Sequence, residues 1–273
     1  MGSSLLSKKS NDLALFKYSG AGNTFLIYDA RSSTFPFVLI PRLCAEYAVD
    51  GVILLCNSAI ADYQVRFFNV DESEAEMCGN GLRCLIRFLE ESALKQPVYR
   101  IETLSGIVDA WHEGEEIAVQ MPKHRVVSWS QRIEGYQASI LDVGVPHIVF
   151  FVEDVDAIDL NTFGPHVQSL PIFPKSVNVN VVEVHPDHSF HIRTFERGVQ
   201  RETLSCGTGC TAAALSVANA FQSPSPLTVH TQAKKCLTIH FKKTDTCFFN
   251  VVMQGPACKQ LSINYTNRYT PWL

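Results

Sequence analysis

One short pattern occurs twice in this chain of 273 residues, and it constrains the fold more than any other feature. In each copy a cysteine directly precedes a Gly-polar-Gly triplet and a run of residues suited to a helix: AEMCGNGLRC at 75–84 and ETLSCGTGCTAAA at 202–214. The segments before the cysteines also match, since VRFFNVDESEAEMC (65–78) and RTFERGVQRETLSC (193–206) both predict a strand and an acidic loop. The sequence therefore predicts two halves built on the same plan.

The repeat extends upstream of these segments. Asn69 stands as far before Cys78 as Arg197 stands before Cys206, so the spacing pairs Asn69 with Arg197. Further upstream, KYSGAGNTFLIYD (17–29) matches LDVGVPHIVFFVED (141–154), which pairs Asn23 with Val145. We interpret residues 122–138 as the linker between the halves. Repeated halves favour pseudo-two-fold symmetry with one site between them.

Short runs of β-branched and aromatic residues predict most of the secondary structure as strands. The predicted strands are 24–28, 52–55, 63–69, 99–102, 117–121, 140–143, 148–152, 177–184, 191–195, 237–241 and 248–253, and the predicted helices are 41–48, 79–91, 156–166 and 207–220. The helix at 207–220 is apolar on nearly every face and is therefore expected to be buried all round. Buried helices among many short strands predict an α/β (α+β) fold in which sheets wrap around central helices.

The formal net charge of −4 gives no electrostatic basis for binding nucleic acid or an anionic membrane. The N-terminal segment lacks the apolar core of a secretory signal, so a cytoplasmic protein is expected. Nine cysteines without such a signal argue against a disulfide framework. The partners we expect are a small-molecule substrate and at most a second copy of the chain as a homodimer, with no nucleic acid and no membrane.

Cys78 and Cys206 are the predicted catalytic residues. At a helix N-terminus each thiol is expected to have its pKa lowered toward neutrality, and the adjacent N–H groups would bind a carboxylate or an enolate-like oxygen. A thiolate and a thiol on opposite faces of one carbon can remove a proton from one side and return one from the other. This chemistry needs no cofactor and no metal, and the chain has no phosphate-binding loop or dinucleotide-binding motif.

Three other interpretations of the cysteines stay open from the residues alone. Cys78, Cys84, Cys206 and Cys210 could supply four zinc thiolates, the pairs could be redox-active, or each triplet could be only a tight strand-to-helix turn. We expect Cys84 and Cys210 to pack along their helices. The cysteines in apolar surroundings are expected to behave as small buried hydrophobes: Cys44, Cys56, Cys236 and Cys247.

Five segments together resemble the successive signature blocks of diaminopimelate epimerases: FKYSGAGNTFLIYD, FFNVDESEAEMCGNGLRC, VPHIVF, VNVNVVEV and FERGVQRETLSCGTGCTAA. The resemblance covers about residues 15–255 in the family's order. It implies a cofactor-independent epimerase that interconverts LL- and meso-2,6-diaminopimelate in lysine and peptidoglycan precursor synthesis. It also implies two pseudo-symmetric domains, 1–129 with Cys78 and 130–259 with Cys206, each a mostly antiparallel sheet nearly closed around a central helix. The C-terminal strand, 260–273, would join the first domain.

The resemblance also implies roles for individual residues. Cys78 and Cys206 would be the acid/base pair, and His147 would support the reacting centre. Arg197 would bind the distal carboxylate, a bidentate task suited to guanidinium. The residues implied to bind substrate are Asn23, Asn69, Gly79, Asn80, Asn178, Glu196, Arg197, Gly207 and Thr208.

The chain departs from the family's pattern at two places. Val145 stands where the family usually has asparagine before Pro146-His147, and Tyr47-Ala48-Val49 replaces a glycine-rich segment before Asp50-Gly51. A missing neutral hydrogen bond costs about 1 kcal/mol, so we expect a looser distal pocket with glutamate as a side substrate for racemisation. The alternative within enzymes is another two-thiol amino-acid racemase of the same fold. A zinc- or redox-dependent binding module is the remote alternative.

Overall fold

The computed structural model of this protein describes residues 12–245 and 247–266. The strands of the first half are β1 (Asp12–Gly20), β2 (Asn23–Asp29), β3 (Gly51–Cys56), β4 (Tyr63–Asn69), β5 (Glu74–Ala75), β6 (Tyr99–Thr103), β7 (Gly106–Glu113) and β8 (Glu116–Gln120). Its helices are α1 (Ile40–Tyr47), which a 3-10 turn (Phe37–Leu39) precedes, and α2 (Gly79–Glu91).

The second half repeats this order. Its strands are β9 (Arg125–Ile133), β10 (Tyr136–Asp142), β11 (Pro146–Phe151), β12 (Asn178–Val184), β13 (Phe190–Glu196), β14 (Arg201–Thr203), β15 (Leu227–Thr231), β16 (Cys236–Lys243), β17 (Phe248–Gly255) and β18 (Cys258–Thr266). Its helices are α3 (Leu160–Gln168) and α4 (Gly207–Ala220).

Hydrogen bonds join the strands of both halves into one continuous series. The spatial order is β18-β1-β2-β3-β4-β6-β7-β8 in the first half, continuing as β17-β16-β15-β13-β12-β11-β10-β9 in the second. The antiparallel pair of β8 and β17 joins the two sheets, with Val119 opposite Met253. Most pairs are antiparallel; the four parallel pairs are β2–β3, β4–β6, β11–β12 and β13–β15, and one helix crosses over within each.

Each sheet wraps around one buried helix. α4 contacts all eight strands from β9 to β17 apart from β14, and its residues 207–218 are buried. α2 contacts β1, β2, β3, β7, β8 and β18, and the two helices also contact each other. One apolar cluster contains side chains of both helices and of both sheets, for example Leu85 and Leu215. Burial of these two helices is therefore what closes each sheet, and the predicted α+β fold of two pseudo-symmetric halves is confirmed.

The outer face of each sheet is covered by one short helix. Leu43 of α1 packs in an outer cluster with Leu15, Leu26 and Tyr265. Leu160 of α3 packs in the equivalent cluster of the second half. The resulting order is short helix, sheet and central helix in each half, which places the starts of α2 and α4 in the interior of the molecule.

Several sequence-based expectations need correction. The interpretation of 122–138 as a linker is wrong, because β9 occupies 125–133 and pairs with β10. The predictions also missed β1, β5, β7, β14 and β15, and the third helix begins four residues later than predicted, at Leu160. The division of the chain at 129 and 130 lies inside β9, so the domain assignment stays a prediction. The predicted strand 260–273 overlaps β18, and residues 267–273 lie outside the described residues.

β18 leaves the second half and pairs with β1 at the edge of the first sheet, from Asp12 opposite Thr266 to Ser19 opposite Cys258. Among residues 12–245 and 247–266, no helix has the length and apolar composition needed to cross a membrane.

Tyr265 tests how firmly β18 is anchored in the first half. Its ring is 6% exposed, and its hydroxyl has no hydrogen-bond partner within the described part of the chain. Tyr265→Ala is expected to lower the free energy of unfolding by about 3–5 kcal/mol, because it leaves a cavity between the sheet and α1. Tyr265→Phe is the matched control and should leave it within about 0.5 kcal/mol of wild type. Urea denaturation of the three proteins measures both, and equal loss in the two variants would contradict the packing described.

Candidate functional site

Cys78 and Cys206 hold equivalent positions at the starts of α2 and α4. Each is the N-cap residue with an extended backbone, at φ −139° and ψ 105° for Cys78 and φ −123° and ψ 111° for Cys206. Each sulfur accepts a hydrogen bond from the third helical residue, over 3.3 Å from Gly81 N and 3.4 Å from Gly209 N. A sulfur atom thus takes the place that a serine or aspartate oxygen usually occupies at a helix N-cap.

The two helix starts meet at Met253, on the strand that joins the sheets. A β-carbon on Gly79 would lie 2.4 Å from Met253 Cε, and one on Gly207 would lie 3.0 Å from Met253 Sδ. A side chain at either position would therefore have to displace the flexible end of Met253, which lies against both helix starts. The approach of the two helix starts also directs the free N–H groups of both helix N-termini toward the same point, where they favour an anion.

Both thiols line one cavity of about 440 Å³. The lining residues from the first half are Asn23, Phe25, Asp50, Asn69, Val70, Asp71, Met77, Cys78, Gly79 and Asn80; those from the second half are Glu196, Gly198, Val199, Arg201, Thr203, Ser205, Cys206, Gly207 and Thr208. Nine of the residues that the resemblance implies to be functional line this cavity. They are Asn23, Asn69, Gly79, Asn80, Glu196, Gly207 and Thr208 besides the thiols themselves.

A bidentate ion pair braces the loop before each cysteine, and sequence reasoning missed both pairs. Arg66 binds Glu74 through Nε and Nη2 at 2.8 and 2.7 Å, and Arg193 binds Glu202 through the same atoms at 2.7 Å each. The partners are eight residues apart in the first half and nine in the second. The second loop is therefore one residue longer than the first.

This difference corrects one pairing between the repeats. Counted from the bracing arginines, Asn69 of β4 corresponds to Glu196 of β13, and both are the last residues of their strands. Pairing Asn69 with Arg197 was therefore wrong by one position. The sequence contains this signal, because both repeated segments carry an arginine followed by a glutamate. Aligning the two arginines shows one extra residue between arginine and glutamate in the second half.

Asn80 is held by residues from both halves. Its Oδ1 accepts a hydrogen bond of 2.8 Å from Nη2 of Arg83, which is fully buried. Its Nδ2 donates to Asn23 Oδ1 and, over 3.2 Å, to the carbonyl of Ser205. Arg83 thereby fixes the orientation of the Asn80 amide, so it is a positioning residue that the sequence alone did not reveal.

Burial dominates the titration of both thiols. It raises the pKa of Cys78 to about 11, against the lowering effect of the Gly81 N–H and of Arg83. It also raises the pKa of Cys206 well above its ordinary value, and the nearby Glu196 carboxylate adds to this increase. The expectation that both thiol pKa values are lowered toward neutrality is therefore wrong for the protein alone. Desolvation destabilises a thiolate more than the helix N-terminus stabilises it.

Glu196 is the carboxylate nearest to this chemistry. Its Oε1 accepts a hydrogen bond of 2.6 Å from the Thr203 hydroxyl, and Thr203 also lines the cavity. Burial raises the pKa of Glu196, partly offset by the hydrogen bond from Thr203. Glu196 thus combines a charge-bearing side chain with a position directly beside Cys206.

Asn178, Arg197 and His147 are not among the residues that line the cavity. Asn178 Oδ1 accepts a hydrogen bond of 3.0 Å from the backbone N–H of Arg197, so Asn178 holds the start of the longer loop. The Arg197 guanidinium lies 3.4 Å from the carbonyl of Lys175. His147 is fully buried, and its Nε2 has no hydrogen-bond partner among the described residues.

Asn180, a residue that sequence reasoning missed, lies between His147 and the start of α4. Asn180 Nδ2 lies 3.2 Å from His147 Nδ1, and Asn180 Oδ1 accepts from the Thr194 hydroxyl over 3.0 Å. A β-carbon on Gly209 would lie 2.5 Å from Asn180 Oδ1. Burial lowers the pKa of His147 to about 3, with a further lowering by the Arg197 charge, so the ring is neutral at pH 7.

Arg201 lines the cavity although no role was predicted for it. Its Nη2 lies 3.7 Å from Asp50 Oδ1, and this ion pair connects the two halves across the cavity. The Arg201 side chain is 58% exposed, so the pair contributes little to stability.

The remaining cysteines include buried, half-buried and exposed side chains, and Cys56, which was expected to be buried, is half-buried. Cys84 and Cys210 are buried along α2 and α4 as expected, and Cys44 is buried as well. Cys236 and Cys247 are exposed, which corrects their expected burial. Cys236 is the first residue of β16, and Cys247 immediately precedes β17, where its backbone N–H donates to the Thr244 hydroxyl over 3.2 Å.

Raised thiol pKa values predict a loss of stability at alkaline pH. A buried thiol keeps its proton in the folded chain, while the unfolded thiol ionises near pH 8.5, so the free energy of unfolding falls as pH rises above about 8.5. Burial raises the pKa of Cys210 to about 12. Cys210→Ala should therefore make the decline between pH 8.5 and 10 shallower, by up to about 1.4 kcal/mol per pH unit.

Guanidinium denaturation at several pH values measures this slope. Leu85→Ala is the control, since it removes buried apolar volume from α2 without removing a titratable group. Its slope should equal that of wild type although its stability is lower. A Cys210→Ala slope equal to wild type would contradict the raised pKa.

Known proteins resemble this chain in sequence and in structure. The family profile described as diaminopimelate epimerase matches residues 15–127 and 139–259. A protein of Geobacillus sp. (strain WCH70) named diaminopimelate epimerase is 34% identical, covering 90% of this chain and 96% of its own length. Two similar solved structures are a PhzF-family phenazine biosynthesis protein of Bacillus anthracis (TM-score 0.76, 16% identity, 94% of this chain and 99% of that chain) and a probable proline racemase of Agrobacterium radiobacter K84 (TM-score 0.70, 16% identity, 95% and 94%). At these identities the two structures show a shared fold only.

Proposed function

This chain belongs to the diaminopimelate epimerase family, an isomerase family, and we propose that it interconverts LL- and meso-2,6-diaminopimelate by proton transfer between two thiols without a cofactor. The observation that carries the proposal is the matched position of Cys78 and Cys206, each the cap of a helix that starts at one common cavity. The fold would then present one thiol to each face of the substrate's α-carbon.

In the proposed step a thiolate takes the α-proton and becomes a thiol, while the C–H electron pair spreads into the α-carboxylate. The opposite thiol then gives its proton to the other face of the carbon and becomes a thiolate, so charge and protons balance. The free N–H groups at Gly79-Asn80 and Gly207-Thr208 would hold the carboxylate as negative charge develops on it. Dry surroundings would strengthen these interactions.

The surroundings support unequal roles for the two thiols at rest. At Cys78 burial and the Glu196 charge raise the pKa, while the Gly81 N–H and the Arg83 charge oppose them. The Glu196 charge raises the pKa of Cys206 and so favours the neutral thiol. Because burial holds both pKa values high, we propose that the ammonium group of the substrate favours ionisation of the thiol that it approaches.

Cysteine variants test the two-thiol step. Cys78→Ser and Cys206→Ser should each lower the rate of diaminopimelate epimerisation by about 10²–10⁴-fold, the usual contribution of one acid or base group. Cys247→Ser is the control, since Cys247 is exposed and lies outside the cavity, and it should keep the wild-type rate. Full turnover in either catalytic variant would falsify the scheme.

We propose that Arg197, although it is outside the cavity lining, turns toward the cavity to bind the distal carboxylate, with Asn23 and Asn69 as further ligands and with Asn178 and His147 as supporting residues. Val145 stands where the first half carries Asn23, and valine offers no hydrogen bond, which supports a less selective distal end. Glutamate, whose side-chain carboxylate can reach toward the same arginine, is the proposed side substrate. Arg201 forms an ion pair with Asp50 and is largely exposed, so we propose that it contributes less than Arg197 to binding the distal carboxylate.

Exchange of the α-proton in D₂O tests the distal end. We expect exchange with LL-diaminopimelate and slower exchange with glutamate, and none with lysine, which lacks the second carboxylate. Arg197→Ala should lower kcat/KM for diaminopimelate by about 10–100-fold, the value of a charge-assisted hydrogen bond. Arg201→Ala, the matched control, should lower it by at most about fivefold.

Two results would count against this assignment. A larger loss in Arg201→Ala than in Arg197→Ala would move the distal carboxylate to Arg201. Absence of exchange with glutamate at high enzyme concentration would exclude the side activity.

We further propose that the protein acts in the cytoplasm, on the route to lysine and peptidoglycan precursors. A homodimer remains a prediction, as does the absence of nucleic-acid and membrane partners.

A further inference from the structure

A row of metal-binding side chains crosses four adjacent strands of the second sheet. Glu183 of β12 lies opposite His191 of β13, His191 lies beside His230 of β15, and His230 lies opposite Cys236 of β16. His185 is two residues beyond Glu183 and therefore on the same face. The next residues along three of these strands are buried in the core around α4: Ile192, Val229 and Leu237. The row is thus on the outer face, and none of its members lines the cavity of the thiols.

The row is compact at one end. A donor atom from each of Glu183, His185 and His191 lies within 4.8 Å of the others. The rings of His185 and His191 are 4.7 Å apart between centroids, and those of His191 and His230 are 5.1 Å apart. Cys236 Sγ lies 3.4 Å from His230 Nδ1. Three imidazoles, a carboxylate and a thiol therefore share one small patch.

A hydrogen-bond relay fixes which nitrogen of His185 is free. The Ser189 hydroxyl donates its single proton to Asp187 Oδ1 over 2.7 Å, so its oxygen can only accept from His185 Nδ1 at 3.2 Å. His185 Nδ1 then carries the proton, and in the neutral ring Nε2 presents a lone pair. This lone pair lies 3.7 Å from Glu183 Oε1, which is also an acceptor. Two acceptors that face each other favour a cation or a shared hydrogen-bond donor between them.

Metal-binding histidines usually have such a relay: one ring nitrogen binds the metal, and the N–H of the other donates to an oxygen that is held in place. Neutral imidazole is the form that binds metal ions.

We propose that Glu183, His185 and His191 bind one divalent transition-metal ion of the Zn²⁺ class on the outer face of the second sheet, with His230 as the adjacent fourth ligand. Imidazole nitrogen with one carboxylate oxygen is a donor set that Zn²⁺ accepts, whereas Mg²⁺ and Ca²⁺ prefer oxygen alone. Donor atoms around a tetrahedral zinc ion are about 3.4 Å apart, so the three side chains need to close by about 1 Å. His191, the most exposed of the three, is the ligand that would move.

A proton is the rival occupant, because a protonated His185 would form an ordinary ion pair with Glu183. Zinc titration by calorimetry at pH 7.5 distinguishes the two. The wild type should take up one equivalent more than His185→Ala or His191→Ala, or bind that equivalent at least about tenfold more tightly. Comparing variants cancels any zinc bound by the thiols of the cavity, which all of these proteins retain.

Two further variants sharpen the test. His166→Ala is the matched control, since it removes an exposed histidine that also contacts a glutamate, Glu134, and it should bind zinc like wild type. Ser189→Ala removes no ligand but frees the His185 tautomer, and it should weaken zinc binding by about tenfold. Equal zinc uptake and affinity in wild type and His191→Ala would overturn the site, and wild-type affinity in Ser189→Ala would overturn the relay.

The metal site and the proposed epimerase activity are tested by independent measurements. His191→Ala should keep the wild-type rate of diaminopimelate epimerisation, because the row lies outside the cavity. Failure to bind zinc would leave the thiol mechanism untouched, and loss of the thiol mechanism would leave the zinc titration untouched.

Discussion

The close contact of two helix starts at Met253 is the constraint on which the rest of the structure depends. Each helix begins with a glycine that lies against the Met253 side chain, and each presents unpaired N–H groups there. A buried helix end without acceptors is unstable, and the sulfur atoms of Cys78 and Cys206 satisfy one N–H each. The remaining N–H groups point into the cavity, so the same packing that closes the core leaves a site for an anion.

The sequence predicts the centre of this molecule better than its periphery. The helices 79–91 and 207–220 have the bounds expected, because a glycine-containing start and a continuous apolar run are both local signals. β9 and β18 were missed or misplaced, since both are partly exposed and are stabilised by pairing with strands distant in the chain. Strand pairing of this kind leaves little local pattern.

The same contrast holds for the site. The two thiols and their glycines follow from the repeat, and the structure brings them to one cavity. Burial of Arg83 beneath Asn80 could not be predicted, because an arginine on an apolar helix looks like a surface residue until its neighbours are known. The thiol pKa values were expected in the wrong direction for a related reason. The helix N-terminus is visible in the sequence, whereas the desolvation that outweighs it is a property of the folded chain.

The exchange of β9 and β18 between the sheets has a consequence for the origin of the chain. β9 follows β8 but pairs with the second sheet, while β18 follows β17 but pairs with the first. β8 also pairs with its own counterpart β17. A polypeptide of half this length would thus form, with a second copy, a closed two-fold dimer whose subunits trade their last strands. Such a dimer would already hold two identical thiols facing one cavity, and joining the copies into one gene would permit the loops around them to differ, as the extra residue before Cys206 does.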